Sequence, residues 1–300
     1  MSSLPQERRR TEHRNPASRR LDRLPTKAIL RLMNGEDRKV AVSVGHEIPS
    51  IARAVDAIVR SIRKGGRLIY VGAGSSGRLA VLDAAECPPT FGVSRDTVQA
   101  LIAGGRKAVT GAVEGAEDSA HNAVRDLRAK RLVRDDVVVG IAASGTTPYV
   151  LSALAFARKR GATTVAVTSN RKAPIARDAQ IVIATEVGPE IVTGSTRLKA
   201  GTSQKLVLNM LSTAAMVRLG HVYDNLMIDL ALTNEKLRQR GLRILMEASG
   251  ADASTAKQAL RQSGHGLSEA LVMLKNGIDA KAARSRLALT KGNLRQALGE

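Results

Sequence analysis

Between Arg67 and Gly92 the chain reads RLIYVGAGSSGRLAVLDAAECPPTFG, and this unit constrains the fold more than any other stretch. Arg67 to Val71 predicts a short buried strand, Gly72 to Ser76 a tight turn, and Gly77 to Ala85 a helix whose first amides face the turn. A helix N-terminus carries partial positive charge and unpaired N–H groups, so such a turn suits a phosphate. Gly72 and Gly74 allow close backbone approach, and Ser75 and Ser76 add hydroxyl donors. Gly72 to Gly77 also matches G-x-G-x-x-G, but a dinucleotide site needs an acidic residue about 20 positions on to hold the ribose. Here the next apolar run, Val98 to Ala103, ends in Gly104 and Gly105.

The pattern recurs. Val137 to Ala143 is a second near-continuous apolar strand, followed by Ser144-Gly145-Thr146-Thr147-Pro148 and a helical run to Arg160. Pro148 suits a helix start, where its missing N–H would have no intrahelical partner. Further strands are expected at Thr163 to Thr168 and Gln180 to Ala184, and helices at Lys27 to Met33, Val40 to Ile62 and Gly201 to Leu219. Alternating strands and helices predict an α/β fold, a doubly wound, mostly parallel sheet covered on both faces in three layers. In such a sheet the hydroxyl-rich turns meet at the carboxyl edge, where ligands bind. Beyond about Glu235 the strand pattern ends, and Asn234 to Ser249, Asp252 to Ser263, Gly266 to Asn276 and Asp279 to Leu289 read as helices. The expected organisation is a basic arm over residues 1–25, a catalytic α/β domain over 26–235 and a small all-helical domain over 236–300. The 201–219 helix is apolar over more than one face, which calls for burial, partly by a second copy; a homodimer is expected.

Composition excludes several functions. The chain has 43% apolar residues but only 2% aromatic, so its core is aliphatic. A net charge of +20 raises nucleic acid as a partner, yet with no Trp, three Tyr and two Phe there are few platforms for base stacking, and nucleic acid is not expected. Arg8, Arg9, Arg10, Arg14, Arg19, Arg20 and Arg23 concentrate charge in the arm; a solvated arm is the simplest reading, and an anionic partner or a neighbouring subunit are its functional alternatives. A single cysteine, Cys87, forbids an intrachain disulfide and suits a reducing, cytoplasmic compartment. No run is long and apolar enough to span a membrane, and no signal peptide is expected.

Glu86 and Glu117 are the carboxylates most suited to chemistry. Glu86 is expected to close its helix, locked by Cys87-Pro88-Pro89 against a non-helical chain. Glu117 follows the second strand near the carboxyl edge, although Glu114, Glu117 and Asp118 together could equally serve a helix N-terminus. Cys87 has no nearby base, and the five histidines lack metal-ligand spacing, so no metal is predicted. Residues 190–202 gather Glu190, Ser195, two cations and glycines before the long helix; they read either as a third anion-facing turn or as an ordinary loop capped by Thr202.

Five segments carry a more specific resemblance: TEHRNPASRRLD, IYVGAGSSGRLAVLDAAECPPTFG, AVEGAEDS, VVVGIAASGTTPYV, and EIVTGSTRLKAGTSQKLVLNMLSTAAMVRLGHVYDNLMIDLALTNEKL. They cover most of Thr11 to Leu237, and through them the chain resembles the N-acetylmuramic acid 6-phosphate etherase family of the sugar isomerase (SIS) superfamily, to which glucokinase regulatory protein is also related. The tail resembles that family's small UBA-like helical domain. The resemblance implies a sugar-phosphate substrate and cofactor-free cleavage of its D-lactyl ether, giving N-acetylglucosamine 6-phosphate and D-lactate by general acid–base chemistry. It implies Glu86 as proton donor to lactate and Glu117 as the second acid/base, with Ser75, Ser76, Ser144, Thr147, Glu190 and Ser195 holding phosphate or sugar hydroxyls. The alternative within the superfamily is a non-catalytic sugar-phosphate-binding regulator. One departure stands out: the family commonly has Arg at the third position of the Ser-Gly-x-Thr-Pro turn, where this chain has Thr146.

Overall fold

A computed structural model describes residues 10–232 and 234–300. Arg8 and Arg9 of the basic arm lie outside the described residues. The chain divides into two compact units, one drawn from the described part of Met1–Ala85 together with Asp96–Ser212, the other from Glu86–Arg95 and Thr213–Glu300.

The first unit is built on five parallel strands, β1 (Leu68–Gly72), β2 (Val98–Ile102), β3 (Val137–Ile141), β4 (Thr163–Thr168) and β5 (Ile181–Ala184), in the order β2-β1-β3-β4-β5. The central strands are apolar at nearly every position because both faces are covered; all five residues of β1 and of β3 are buried. Two helices precede the sheet, α1 (Thr26–Gly45) and α2 (Ile48–Arg63), and three cross over it, α3 (Gly74–Phe91), α5 (Ala120–Ala129) and α6 (Pro148–Lys159), with a single turn, α4 (Lys107–Thr110), after β2. Ala123 and Leu127 of α5 and Tyr149, Val150, Ala153 and Leu154 of α6 close one aliphatic core over Ile69, Val71 and Val138. Gly140 lets α6 lie close: a Cβ there would sit 2.8 Å from Val150 Cγ1 and 2.9 Å from Leu154 Cδ1. The two buried tyrosines each spend their hydroxyl on a carboxylate, Tyr70 on Asp83 at 2.9 Å and Tyr149 on Asp126 at 2.8 Å. Burial, then the Asp126 contact, drives the Tyr149 phenol well above its ordinary value, so it stays a donor.

Three boundaries differ from expectation. The run expected as one helix from Val40 to Ile62 breaks at His46–Glu47, because Pro49 in the first turn of α2 has no N–H to continue the ladder. Helix α3 starts at Gly74, not Gly77, and runs through Pro88 and Pro89 to Phe91. The prolines therefore do not end the helix at Glu86: their fixed φ fits helical geometry, and the turn is closed by Gly92, whose N–H bonds Pro88 O at 3.0 Å and whose φ is +65°. The last helix of this part, α7 (Lys199–Leu219), begins two residues early because a buried carboxylate seats its first amides.

Residues 10–25 form three single 3-10 turns, and they are not a wholly solvated arm. Thr11 and Asn15 are buried, and Asn15 Nδ2 donates to Glu36 Oε2 at 3.0 Å and to Pro189 O at 3.1 Å. Glu36 also accepts from Lys39 and from Lys199, whose Nζ lies 2.5 Å away and whose side chain is 2% exposed. Burial acts to raise the Glu36 carboxyl, but Lys199, Lys39 and Asn15 outweigh it and hold it at about 2.

In the second unit α8 (Glu235–Ser249), α9 (Ala253–Gln262), α10 (Leu267–Asn276), α11 (Ala280–Leu289) and the short α12 (Leu294–Leu298) surround a core of Leu245, Ala256, Leu260, Leu271, Ala283 and Leu294. Asn234, Asp252, Asp279 and Asn293 cap four of these helices through side-chain oxygens. Gly250 and Gly277 close α8 and α10 in the left-handed region. Among the described residues no helix is long and apolar enough to cross a membrane.

Candidate active site

The strand order reverses direction at β1: the chain moves outward to β2, then returns to place β3 on the other side. At such a switch point the loops leaving the carboxyl ends of the two strands part and open a crevice. Here a cavity of about 1030 Å³ occupies it, entirely within the first unit.

One wall is the turn after β1. Gly74, Ser75 and Ser76 open α3, and first-turn amides have no carbonyl one turn back to receive them. The facing wall is the turn after β3, Ser144 to Pro148, which opens α6. Thr147 is the residue preceding α6, but its hydroxyl makes no capping bond, and Pro148 takes the first helical position. Ser144 Oγ accepts from Thr146 N at 3.3 Å and from Thr146 Oγ1 at 3.0 Å, which draws the turn tight. Two helix N-termini and five hydroxyls thus converge on one space.

Gly145 makes that turn possible. Its φ is +70°, and an added Cβ would overlap Ala173 Cβ and lie 2.9 Å from Thr168 Oγ1. We expect Gly145→Ala to destabilise the protein by about 1–3 kcal/mol, strain of the backbone and loss of the close approach acting together. A fall in the urea midpoint without a change in slope would register it.

Acids line the remaining wall. Glu117 and Asp118 sit on a 3-10 turn, Ala116–Asp118, just before α5, whose N-cap is Ser119. Glu12 joins them from the N-terminal turns, and Gly194 and Thr196 from the loop before α7. Among the residues lining the cavity Arg177 is the one cation, against Glu12, Glu117, Asp118 and Asp178. An anion is therefore favoured at the helix ends and disfavoured at the acidic wall, which gives the cavity polarity.

Of the residues singled out in the sequence, Ser75, Ser76, Ser144, Thr147 and Glu117 line this one cavity, and Thr146 lines it too. Three do not. Glu190 is buried, and its Oε2 and Oε1 accept from Lys199 N at 3.0 Å and Ala200 N at 2.9 Å, so it seats the N-terminus of α7. Burial raises its carboxyl above the ordinary range against the pull of those two amides. Ser195 lies between Gly194 and Thr196 but does not itself face the cavity. Glu86 is exposed within α3 and grouped with Glu86–Arg95 in the second unit, where Ala231 N donates to Pro89 O at 3.4 Å. Glu12 escaped the sequence reading, although it lies in the segment TEHRNPASRRLD; only its long-range placement makes it a wall residue. Among the described residues no three His, Cys, Asp or Glu side chains cluster as a metal site would require.

The fold and its paired turns define a member of the sugar isomerase (SIS) class. Residues 50–158 match the glucokinase regulatory protein N-terminal SIS domain and residues 118–214 the SIS domain. A putative phosphosugar isomerase from Bacteroides fragilis has the same fold, with a TM-score of 0.50 at 20% identity over 66% of this chain and 94% of that one. So does a phosphoheptose isomerase from Francisella tularensis, with a TM-score of 0.50 at 17% identity over 65% and 100%. Much nearer in sequence is the N-acetylmuramic acid 6-phosphate etherase of Pectobacterium atrosepticum, 54% identical over 96% of this chain and 95% of the relative. The etherase of Aeromonas hydrophila is 53% identical over 95% and 96%, and that of Clostridium beijerinckii 49% over 100% and 99%. The chain belongs to the N-acetylmuramic acid 6-phosphate etherase family.

Proposed function

We propose that this protein cleaves the D-lactyl ether of N-acetylmuramic acid 6-phosphate, acting as a carbon–oxygen lyase that yields N-acetylglucosamine 6-phosphate and D-lactate. The observation that carries this reading is the cavity itself, in which two hydroxyl-bearing helix N-termini face Glu117 across one space.

The phosphate belongs at the helix ends, where Ser75, Ser76, Ser144 and Thr147 supply hydroxyls and the first-turn amides of α3 supply N–H groups. Arg177 on the same cavity offers a cation that Thr146 cannot. The sugar then extends toward Glu117. Opening the ring exposes an aldehyde at C1, which acidifies the C2 proton; a carboxylate takes that proton while a carboxylic acid protonates the departing lactyl oxygen. Water adds back at C3. General acid–base groups suffice for every step, with Glu117 as the one that lines this cavity; Glu86, which does not line it, is proposed as the donor to lactate by its Glu-Cys-Pro-Pro-Thr context alone. A carboxyl that gives up a proton near neutral pH needs burial or a neighbouring carboxylate to retain it.

A cytoplasmic homodimer completes this reading. The lone cysteine supports the compartment, and the exposed Leu82 of α3 and Met210 of α7 support a covering partner. The test is D-lactate release from N-acetylmuramic acid 6-phosphate, with and without EDTA. Release unaffected by the chelator is expected. Binding of the sugar phosphate without release would instead make the protein a regulator.

A further inference from the structure

Ser76 opens α3 on the wall of the cavity, and its Oγ donates to Gln204 Oε1 at 2.9 Å. Gln204 comes from the second turn of α7, 1% exposed, and its Nε2 is buried with no acceptor among the described residues. This arrangement is unbalanced at both ends. A serine has one proton, and in this state it is turned away from the cavity, so Ser76 presents only lone pairs where a phosphate would lie. At the same time the amide keeps two protons that nothing receives, in a place where an unmade hydrogen bond is costly.

One rotation of the amide turns the Ser76 proton to the cavity and gives Nε2 an acceptor, in exchange for the bond that Oε1 now accepts. We propose that Gln204 is a positioning residue for phosphate, its amide switching Ser76 between acceptor and donor as the anion arrives. On binding, the Ser76 proton swings from Gln204 Oε1 to a phosphate oxygen, and the Gln204 amide turns so that Nε2 donates to Ser76 Oγ. No bond to a heavy atom breaks; each proton stays on its own oxygen or nitrogen and changes only its acceptor. Ser76 then receives one hydrogen bond and gives another. A donor behind the serine polarises its O–H and strengthens what it gives to a dianion. Because Gln204 lies behind Ser76 and does not line the cavity, it acts on the ligand only through that hydroxyl.

The inference rests on the sugar-phosphate reading of the cavity, not on turnover. Its test uses the full chain and two probes, N-acetylglucosamine 6-phosphate and inorganic phosphate, with dissociation constants from calorimetry. Gln204→Met keeps length and loses both polar atoms. It is expected to weaken both probes by the same factor, about tenfold, the worth of the one hydrogen bond that Nε2 would give Ser76 Oγ. KM for the ether substrate should rise by that factor with kcat within about twofold, since the effect is on an anion held equally in ground and transition states. In a Ser76→Ala background the same change should add nothing further.

Equal affinity in Gln204→Met and wild type, a loss confined to the sugar phosphate, or full additivity with Ser76→Ala would each overturn the proposal. Should Gln204→Met not fold, Ser76→Ala alone decides: unaltered phosphate affinity would show that the hydroxyl being switched is not used. A wild type that binds both probes but releases no lactate would sink the catalytic reading and leave this one standing.

Discussion

Replacing Glu117 by Gln is expected to lower kcat for lactate release by about 10²–10⁴, the usual span for loss of a positioned acid or base. The amide keeps the size of the side chain and part of its hydrogen bonding, and removes only the ability to exchange a proton. Glu117 is exposed on its turn, so the fold should change by no more than about 0.5 kcal/mol. KM should move little, because the wall proposed to hold the phosphate is the opposite one. Glu86→Gln, measured beside it, is expected to show a fall of the same order. If Glu117→Gln retained a third or more of the wild-type kcat, the proton transfer would have to be given to another carboxylate of the same wall, with Glu12 or Asp118 next in line.

The second large effect is on stability. Glu36→Gln leaves the Lys199 ammonium buried without its counter-charge, which is expected to cost about 3–5 kcal/mol in urea unfolding at neutral pH. Changing Lys199→Met in the same chain should return part of that loss, because the uncompensated charge goes with it. The pair also predicts acid sensitivity. Glu36 is held at about 2 in the folded chain against an ordinary 4.5. A group whose folded pKa is depressed contributes stability that is complete above its unfolded pKa and is lost as pH falls through the folded one. Wild type should thus lose about 3 kcal/mol between roughly pH 5 and pH 2 from this group alone. Glu36→Gln should show a correspondingly flatter acid limb.

What the sequence revealed, it revealed through local pattern. Val137 to Ile141 and Leu68 to Gly72 are legible as strands because a sheet covered on both faces requires continuous apolar runs. The two hydroxyl-rich turns of the cavity are legible because glycine, serine and threonine between strand and helix have a mechanical reason to be there. Where partners are distant in the chain, the pattern is silent. Nothing near Glu190 announces that it will seat amides nine and ten residues on, so its carboxylate looked as available as Ser195 did. Nothing near Asn15 announces Glu36 or Pro189, and an arginine-rich opening looked like a solvated arm. Pro88 and Pro89 misled for the opposite reason: a strong local rule was overridden, and the helix continued past Glu86. Gln204 was invisible, one polar residue in an apolar helix, until its contact with Ser76 was seen.

The tether at Asn15 also fixes an order of events during synthesis. Asn15 meets Pro189 across 174 positions, and Lys199 meets Glu36 across 163. Residues 10–25 are made well before residues 189 and 199, so Asn15 can meet Glu36 early but completes its seat only when Pro189 and Lys199 have followed. Until then the segment that carries Glu12 lacks its contact to Pro189, and contacts of such long sequence separation form slowly. The Glu12 wall of the cavity is therefore completed late, although residues 10–25 are made long before the loop that seats them.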